Sequence, residues 1–397
     1  MGFNYEMQPF RYAASLFLTF LFVFTLSAKL RKFSDFVFLM FYLSVLIPLL
    51  SIWGLDPSLE SKALIYVLFG YLVSYLIVNL KSIKPISFPY FKNSELVTIS
   101  VCLIAVLYLV LWYVLSGAIF NMNFDMGRVY EFRDENSATT NIGILAYLNV
   151  WTYKVFNIFA MSYFLLKRRY FVFCCLFLVQ ILFFGVSAHK AVFFFPFLVL
   201  FSYFYFRKRN SLLFIPFAFS LTCLFAFMLT TVFDSNLITS IMVRRLFYVP
   251  ASTTFTYFEF ADNFGHIYWS NSILTSVLEY QYDKPITYVI GDYILGARSA
   301  QSYLGANNGF LSSGYLHAGF IGVLFYSLIF GYILKIFDSL AKNGVPIWIS
   351  ISLTIIPFRD LVISSDLFTS LLTHGLLISM FILILFRNKK YISKDSL

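Results

Sequence analysis

Charged residues are scarce in this chain. They make up 12% of its 397 residues, whereas 60% of the residues are hydrophobic, and the mean hydropathy is +0.80. A water-soluble domain of this length cannot enclose so much apolar surface. The apolar runs exceed the roughly 10 residues of a transmembrane strand and do not alternate, so they predict helices that cross a hydrocarbon layer about 30 Å thick. The composition therefore predicts an all-α, polytopic membrane protein.

Cysteine and cofactor-binding patterns are also scarce. All four cysteines lie inside apolar runs without the spacing of metal ligands, and we expect them to pack against helices or lipid. The sequence lacks a phosphate-binding glycine loop and a serine-nucleophile elbow. We therefore predict neither a metal nor another cofactor.

The apolar runs predict eleven spans within a single domain of residues 1–397. No internal repeat is visible, and the first run lacks the basic segment and small-residue cleavage site of a signal peptide. The predicted spans are 12–28, 34–53, 63–80, 97–120, 143–166, 170–187, 191–206, 211–233, 314–337, 346–363 and 367–386.

The basic residues predict the orientation of these spans. Eighteen of the 29 Lys and Arg residues fall in six short segments: 29–32, 81–95, 167–169, 207–209, 335–345 and the tail from 387. All six lie on one side if the N-terminus is external and the C-terminus cytoplasmic, and the opposite loops hold 14 of the 19 acidic residues. This bias explains the net charge of +10 without nucleic acid as a partner.

Two external loops are long enough to carry function. Loop 121–142 is moderate in length, and loop 234–313, between spans 8 and 9, has 80 residues. Long loops in compact membrane domains are commonly functional. Segment 243–250 is amphipathic and predicts a short interfacial helix, so we expect these two loops to form the active-site region.

The first candidate cluster lies in loop 121–142. Arg128 and Arg133 are spaced to clamp a phosphate or a sugar carboxylate, with Glu131 between them. The alternative is a solvated loop with internal ion pairs.

The second cluster is a tight turn between two apolar runs that ends in His189 and Lys190. Lys190 suits a substrate phosphate, and His189 suits proton transfer. The alternative for Lys190 is that it only extends to lipid headgroups.

The third cluster contains Arg244, Arg245 and Tyr248, followed by an aromatic stretch at 256–260. Paired arginines on an interfacial helix suit an anionic headgroup, either a specific substrate or anionic lipid in general. The positive-inside bias opposes surplus arginine on this side, which favours a specific anion.

The fourth cluster runs from Arg298 through Asn307 and Asn308 to His317. The asparagine carboxamides suit sugar hydroxyls. Three glycines in this region allow close helix packing as an alternative role: Gly314, Gly319 and Gly322.

Two further sites lie inside predicted spans. Lys154 is near the middle of its span, so we expect it to face the bundle interior and to have a partner there. Arg359 and Asp360 either form a structural ion pair near the external interface or, through Arg359, contribute to substrate binding.

These features together resemble the bacterial O-antigen or oligosaccharide repeat-unit polymerases, which are Wzy-type integral membrane glycosyltransferases of lipopolysaccharide and polysaccharide biosynthesis. The resemblance covers essentially the whole chain. It rests on segments 187–190, 244–250 and 306–309, on the late external loop, and on the ten residues between Arg298 and Gly309.

The resemblance implies a reaction at the periplasmic face of the bacterial inner membrane. A growing glycan would leave its undecaprenyl pyrophosphate and join the terminal sugar of a new lipid-linked unit. Membrane lipid and a chain-length regulator are further implied partners, and neither a nucleotide sugar nor a divalent metal is expected.

The resemblance also assigns roles to the candidate residues. The external arginines, with Arg298 foremost, would stabilise the pyrophosphates, and His189 or else Glu131 would serve as the base. Related O-antigen ligases carry a histidine–asparagine pair where this chain has Asn307, which leaves the identity of the base open. The alternatives for the whole protein are an O-antigen ligase and a lipid-linked oligosaccharide flippase.

Overall fold

A computed structural model describes residues 6, 8–125, 140, 142–236, 238–272, 274–295 and 305–392. In these ranges the regular structure is helical, apart from one isolated antiparallel bridge between Lys29 and Ser211. The helices, in chain order, are α1 (Pro9–Val23), α2 (Phe33–Leu55), α3 (Ser61–Asn79), α4 (Ser94–Leu115), α5 (144–166), α6 (Tyr170–Ser187), α7 (Lys190–Phe206), α8 (Phe214–Phe233), α9 (Val249–Phe264), α10 (Ile286–Leu295), α11 (Phe310–Lys342), α12 (Ile347–Ile363), α13 (Leu367–Leu372) and α14 (Leu376–Phe386).

The predicted all-helical membrane class is confirmed. Among the described residues, seven helical stretches are long and apolar enough to cross a membrane: Phe33–Leu55, Ser61–Asn79, Ser94–Leu115, Tyr170–Ser187, Phe214–Phe233, Phe310–Lys342 and Leu367–Phe386. Helices also cover the other four predicted runs, although α1 and α7 have only 15 and 17 residues. The first predicted span extends too far, because α1 ends at Val23 and the chain is not helical from residue 24 to residue 28.

Three stretches of the chain widen into π-helix. They lie at Tyr42–Leu46 within α2, at Thr152–Phe156 within α5, and at Thr239–Tyr248 before α9. Such segments occur often at functional sites, because the extra residue turns neighbouring side chains away from the regular helical positions. The π-helical segment of α5 contains Lys154.

The predicted basic segments meet at one end of the bundle. The Arg387 guanidinium donates to the carbonyl oxygens of Asn343 (2.8 Å) and Phe88 (2.7 Å). Lys167 forms an ion pair with Glu95 at 2.6 Å. These contacts join four of the segments: the tail, 335–345, 81–95 and 167–169.

The other two basic segments adjoin the same end. Segments 29–32 and 207–209 are linked through the Lys29–Ser211 bridge. Lys32 donates to Asn79 at the end of α3 (3.1 Å), and Ser34 donates to Asp338 near the end of α11 (2.7 Å). We call this part of the bundle the basic end.

Helix α11 is a hairpin and not one straight helix, which corrects the single span predicted over 314–337. Ala318 (φ −150°, ψ 31°) and Gly319 (φ +59°) leave helical geometry. Residues 310–317, the short arm, fold back along residues 320–342, the long arm, so that the Phe310 ring lies 4.7 Å from the Phe330 ring. The predicted packing role of Gly314 and Gly322 is confirmed, since a Cβ on Gly322 would lie 1.9 Å from the Gly314 carbonyl oxygen.

The backbone groups freed by this break find new partners. The carbonyl oxygens of Leu316 and His317 accept hydrogen bonds from the backbone N–H groups of Ile267 (3.2 Å) and Tyr268 (3.0 Å). Unsatisfied backbone groups are costly within a membrane, so segment 266–269 is needed for the hairpin turn.

Segment 305–309 enters the bundle as non-helical chain. Gly309 packs so closely on α12 that a Cβ there would lie 2.0 Å from the Val362 carbonyl oxygen. Asn308 stabilises the segment, because its side-chain oxygen accepts from Gly309 N (2.8 Å) and its amide donates to Thr254 (3.1 Å). Non-helical backbone at this depth is tolerated where protein or a polar cavity surrounds it.

We expect Gly322→Ala to destabilise the protein, because the added methyl group would force the two arms of α11 apart. Overpacking of this kind costs about 1–3 kcal/mol. Thermal unfolding of the detergent-solubilised protein should show a lower Tm. Gly305→Ala is the matched control, since its Cβ would meet no atom closer than 3.8 Å; equal Tm values for the two variants would contradict the hairpin packing.

Candidate active site

A cavity of about 1220 Å³ lies among α5, α7, α11, α12 and α13. It exceeds the roughly 300–1,000 Å³ typical of small-molecule sites. Loop 280–287, the non-helical segment 305–309 and the link between α12 and α13 also line it. Three of the four histidines of the chain face this space: His189, His317 and His374.

One wall of the cavity is formed by a cluster of cations around a single carboxylate. Lys154 Nζ lies 2.9 Å from Asp360 Oδ2 and 3.1 Å from His374 Nδ1. Arg359 Nη1 lies 3.0 Å from Asp360 Oδ1. The prediction that Lys154 faces inward and has a partner is therefore confirmed.

The exposure of these groups differs. The side chains of Lys154 and Asp360 are 14% and 10% exposed, whereas the Arg359 side chain is 43% exposed. Two permanent cations share one carboxylate, so this wall carries positive charge in excess. Such a wall attracts an anionic group that enters the cavity.

A second polar group of the cavity contains the carboxylate of Asp366 and the imidazole of His317. The carboxylate oxygen Oδ2 of Asp366 lies 3.3 Å from His317 Nε2 and accepts from the Tyr326 hydroxyl (2.8 Å). Its Oδ1 accepts from the backbone N–H of Phe368 (2.9 Å), so Asp366 is also the N-cap of α13.

Both ring nitrogens of His317 are in use. The backbone N–H of Trp269 donates to Nδ1 (3.2 Å), which therefore carries no proton, and Nε2–H points to Asp366. The ring is buried and stacks on the Trp269 indole at 5.1 Å. His317 is thus placed to hold the carboxylate and not to receive a proton from a substrate.

The loop that holds His317 is strained. Tyr268 and Trp269 both have left-handed backbone angles, with φ of 47° and 58°. Each such residue costs about 1–3 kcal/mol, and such strain is concentrated at functional sites. The Trp269 indole N–H also donates to the Tyr326 hydroxyl (2.7 Å), which completes a chain of polar contacts to Asp366.

Asp366 is ionised at neutral pH. Burial raises the pKa of this carboxyl group, but the hydrogen-bonding and electrostatic interactions with His317 and the hydrogen bonds from Tyr326 and Phe368 N outweigh that effect and bring the pKa below its usual value. The interactions of the ionised form therefore stabilise the fold above the unfolded pKa of about 4 and are lost as the pH falls through the lower folded pKa.

The two asparagines of segment 305–309 have different roles. Asn308 is buried and its carboxamide holds the segment in place, whereas Asn307 is exposed on the cavity wall. Asn271 also belongs to the described lining, and its side-chain oxygen is buried without a hydrogen-bond partner among the described residues. The exposed Asn307 can therefore contact the hydroxyl groups of a bound sugar.

Loop 280–287 lies over the cavity with two tyrosines. The Tyr280 hydroxyl donates to the carbonyl oxygen of Lys284 (3.0 Å), which holds the loop in a turn. Burial and the neighbouring Tyr282 raise the pKa of Tyr280 to about 12, so its phenol stays protonated. The two aromatic rings provide faces on which a sugar ring can pack.

The structure separates the two members of the second cluster. His189 lines the cavity at the start of α7, with its ring 6.4 Å from the Tyr153 ring. Lys190 is exposed and is not among the described cavity-lining residues. The proposed joint action of His189 and Lys190 in one site thus has no support in this geometry.

The third cluster reaches the cavity through residues other than its arginines, since Leu246, next to Arg245, belongs to the described lining. Arg244 and Arg245 are absent from its described lining, and Tyr248 lines a separate cavity of about 300 Å³ with apolar residues of α2 and α8. The aromatic stretch 256–260 is drawn into the core, where the Phe258 ring stacks on Tyr315 at 3.9 Å. Its apolar surface is used for folding, and only Tyr257 of this stretch faces the main cavity.

Four candidate residues lie outside the described residues: Arg128, Glu131, Arg133 and Arg298. Their roles therefore stay predictions from the sequence. Four of the remaining candidates lie on the cavity wall: His189, Asn307, His317 and Arg359. Asn308 also belongs to the lining, where its carboxamide holds segment 305–309 in place.

Sequence reasoning missed Asp366 and His374. Asp366 follows directly after the apolar run of α12, and His374 interrupts the apolar run from 367 to 386. A titratable residue inside an apolar run was the signal that identified Lys154, and the same signal could have identified His374. Within the described residues, no three His, Cys, Asp or Glu side chains are grouped to hold a metal ion.

We expect Asp360→Leu to be more destabilising than the double variant Lys154→Met/Asp360→Leu. The single change leaves Lys154 without its carboxylate, and breaking a buried pair costs about 3–5 kcal/mol. Removal of both partners leaves less uncompensated charge. The free energy of unfolding, measured by SDS titration in mixed micelles, tests this, and additive losses would show that the pair is not coupled.

No protein-family model, no curated protein and no solved structure matches the chain.

Proposed function

We propose that this protein is a polymerase that joins undecaprenyl-pyrophosphate-linked oligosaccharide repeat units at the periplasmic face of the bacterial inner membrane. The observation that supports it most is the cavity within the helical bundle, where a cationic wall and a hydrogen-bonded carboxylate line one space of about 1220 Å³. The resemblance of the sequence to repeat-unit polymerases supplies the substrate class.

The proposal includes a topology of eleven spans with an external N-terminus and a cytoplasmic C-terminus. The meeting of the basic segments at the basic end supports it, because positive residues favour the cytoplasmic side. Helix α12 starts just after basic segment 335–345, and its far end carries Arg359 and Asp360. The cavity is thus away from the basic end, which supports a reaction at the periplasmic face.

The cationic wall suits the pyrophosphate of the donor. Arg359 offers an exposed guanidinium, and Lys154 lies behind it with Asp360 between them. As the glycosidic carbon leaves the pyrophosphate, negative charge develops on the departing oxygen, and fixed cations in a poorly hydrated site stabilise it. Pyrophosphate is already the leaving group, so the reaction needs no nucleotide sugar.

The remainder of the cavity suits the sugars. Asn307 and the tyrosines of loop 280–287 present an amide and aromatic faces, which are the groups that bind sugar hydroxyls and ring surfaces. The size of the cavity leaves room for parts of both a donor and an acceptor. Proximity of two bound substrates is itself a large catalytic contribution.

A ligase and a flippase are the alternatives. A ligase of the related type uses a histidine as its base, and here His317 has both ring nitrogens engaged while Asn307 takes the corresponding position. A flippase alternates access to its cavity between the two membrane faces, commonly with two related halves. Neither alternative has an observation in this protein that favours it over the polymerase.

Deletion of the gene in its host tests the proposal. Loss of a polymerase should leave lipid A that bears single repeat units, loss of a ligase should leave none, and loss of a flippase should trap the units on the cytoplasmic side. Polymer of normal length in the deletion strain would contradict the polymerase function.

We expect Arg359→Met to reduce polymer synthesis by about 10- to 100-fold, which corresponds to the roughly 1.5–3 kcal/mol of a hydrogen bond to a charged group. The Lys154–Asp360 pair remains, so the protein should still insert and fold. Polymer length on gels, normalised to the amount of protein in the membrane, is the measurement. Arg209→Met, an exposed arginine at the basic end, is the control and should retain normal synthesis.

A further inference from the structure

We propose that Asp366 accepts the proton of the acceptor sugar's hydroxyl group, and that His317 and Tyr326 position its carboxylate; this inference rests on the polymerase function proposed above. Three carboxylates belong to the described cavity lining: Asp283, Asp360 and Asp366.

Asp360 is occupied by cations. Its Oδ1 faces Arg359 at 3.0 Å, and its Oδ2 faces Lys154 at 2.9 Å and His374 at 3.7 Å. A carboxylate shared by two permanent cations is a poor proton acceptor, because protonation would leave both cations without a counter-charge. Its role is to hold the cationic wall together.

Asp283 has no fixed position of the kind that proton transfer requires. It is exposed on loop 280–287, and the described residues provide it with no hydrogen bond or ion pair. A catalytic base must be held within hydrogen-bond distance of the proton that it removes.

Asp366 meets both requirements. The contact with His317 Nε2 (3.3 Å) and the hydrogen bonds from the Tyr326 hydroxyl and Phe368 N fix the orientation of its carboxylate, and none of these groups is a permanent cation. Groups without a permanent charge orient a carboxylate without the full charge compensation that makes Asp360 unsuitable. Each carboxylate oxygen has two acceptor sites, and Oδ1 accepts from Phe368 N alone among the described residues. That oxygen can accept one further hydrogen bond from a sugar hydroxyl group.

His317 orients the carboxylate of Asp366, as a positioning residue orients a catalytic base. Trp269 N–H fixes the tautomer of His317, and the strained turn at Tyr268 and Trp269 keeps the donor in place. The arrangement would be unnecessary for a residue that only caps a short helix, since Phe368 N alone satisfies the cap.

The proposed step balances in atoms and electrons. The acceptor O–H bond breaks and its proton moves to Asp366 Oδ1, while the oxygen electron pair forms the new bond to C1 of the donor sugar. The C1–O bond to pyrophosphate breaks, and its electron pair leaves with the lipid pyrophosphate, which Arg359 and Lys154 stabilise. Asp366 then releases the proton to water.

Asp366→Asn is the discriminating variant. Asparagine is as good an N-cap as aspartate, so α13 keeps its cap while the proton acceptor is lost. We expect the turnover of lipid-linked repeat units by the purified protein to fall by about 10²- to 10⁴-fold, the usual contribution of a general base. Binding of undecaprenyl pyrophosphate, the product that carries the leaving group, should be no weaker than in the wild type.

Glu259→Gln is the matched control. Glu259 is an exposed carboxylate on α9, outside the cavity lining, that accepts from the Tyr293 hydroxyl (2.8 Å). Turnover of lipid-linked repeat units by the Glu259→Gln variant should equal that of the wild type. Turnover within threefold of wild type in Asp366→Asn, or a loss found instead only in His189→Gln, would overturn the assignment.

Tyr326→Phe provides an independent readout of the positioning role. Loss of this hydroxyl removes one donor from the ionised carboxylate, so the pKa of Asp366 should rise. Wild-type turnover should stay constant down to about pH 4, the ordinary range of an aspartate, whereas turnover by Tyr326→Phe should begin to fall at a higher pH. An unchanged acid limb would contradict the role, and this result does not depend on whether Asp366→Asn folds.

The outcomes separate this inference from the polymerase function. If the wild-type protein fails to extend lipid-linked repeat units, the proposed function is wrong. If the wild type extends them and Asp366→Asn does so equally well, only the role of Asp366 is wrong.

Discussion

The ion pair between Lys154 and Asp360 is the contact on which the cavity depends. It joins the π-helical segment of α5 to the end of α12, two parts of the chain that form neighbouring walls. A charge placed within a membrane bundle must be compensated nearby, so neither helix can turn away without leaving the other's charge unpaired. The π-helical geometry of α5 and the exposed position of Arg359 therefore belong to one arrangement.

The carboxylates of Asp360 and Asp366 have different surroundings within the cavity. Cations collect around Asp360, whereas groups without a permanent charge surround Asp366 only six positions later in the chain. The link between α12 and α13 thus carries two carboxylates in different environments. Environments of this kind give two chemically identical groups different roles, because one carboxylate is neutralised by charge and the other is only oriented.

The sequence predicted what depends on local pattern. Long apolar runs located the helices, and the position of Lys154 within a run required an inward-facing partner. The identity of that partner was not predictable, because Asp360 is 206 residues away and no periodic pattern connects the two.

Other features also depended on tertiary contacts. In the sequence, the two arms of the α11 hairpin form one apolar run. The break between them at Ala318 and Gly319 is stabilised by hydrogen bonds from a loop about 50 residues earlier. The aromatic stretch 256–260 had the composition of a ligand-binding surface, yet core packing determines its position. Composition alone does not distinguish a buried aromatic face from an exposed one.

The short arm of α11 has a consequence for the biogenesis of the protein. The arm is buried against Gly70 of α3 through Leu311, while Gly309 just before it contacts Val362 of α12. These surfaces are synthesised far apart in time, since α3 is made early and α12 is among the last helices to leave the ribosome. The arm cannot reach its final position until α12 is in the membrane, so a nascent chain that is interrupted before α12 would contain most of the helices but not the cavity that α12 helps to line.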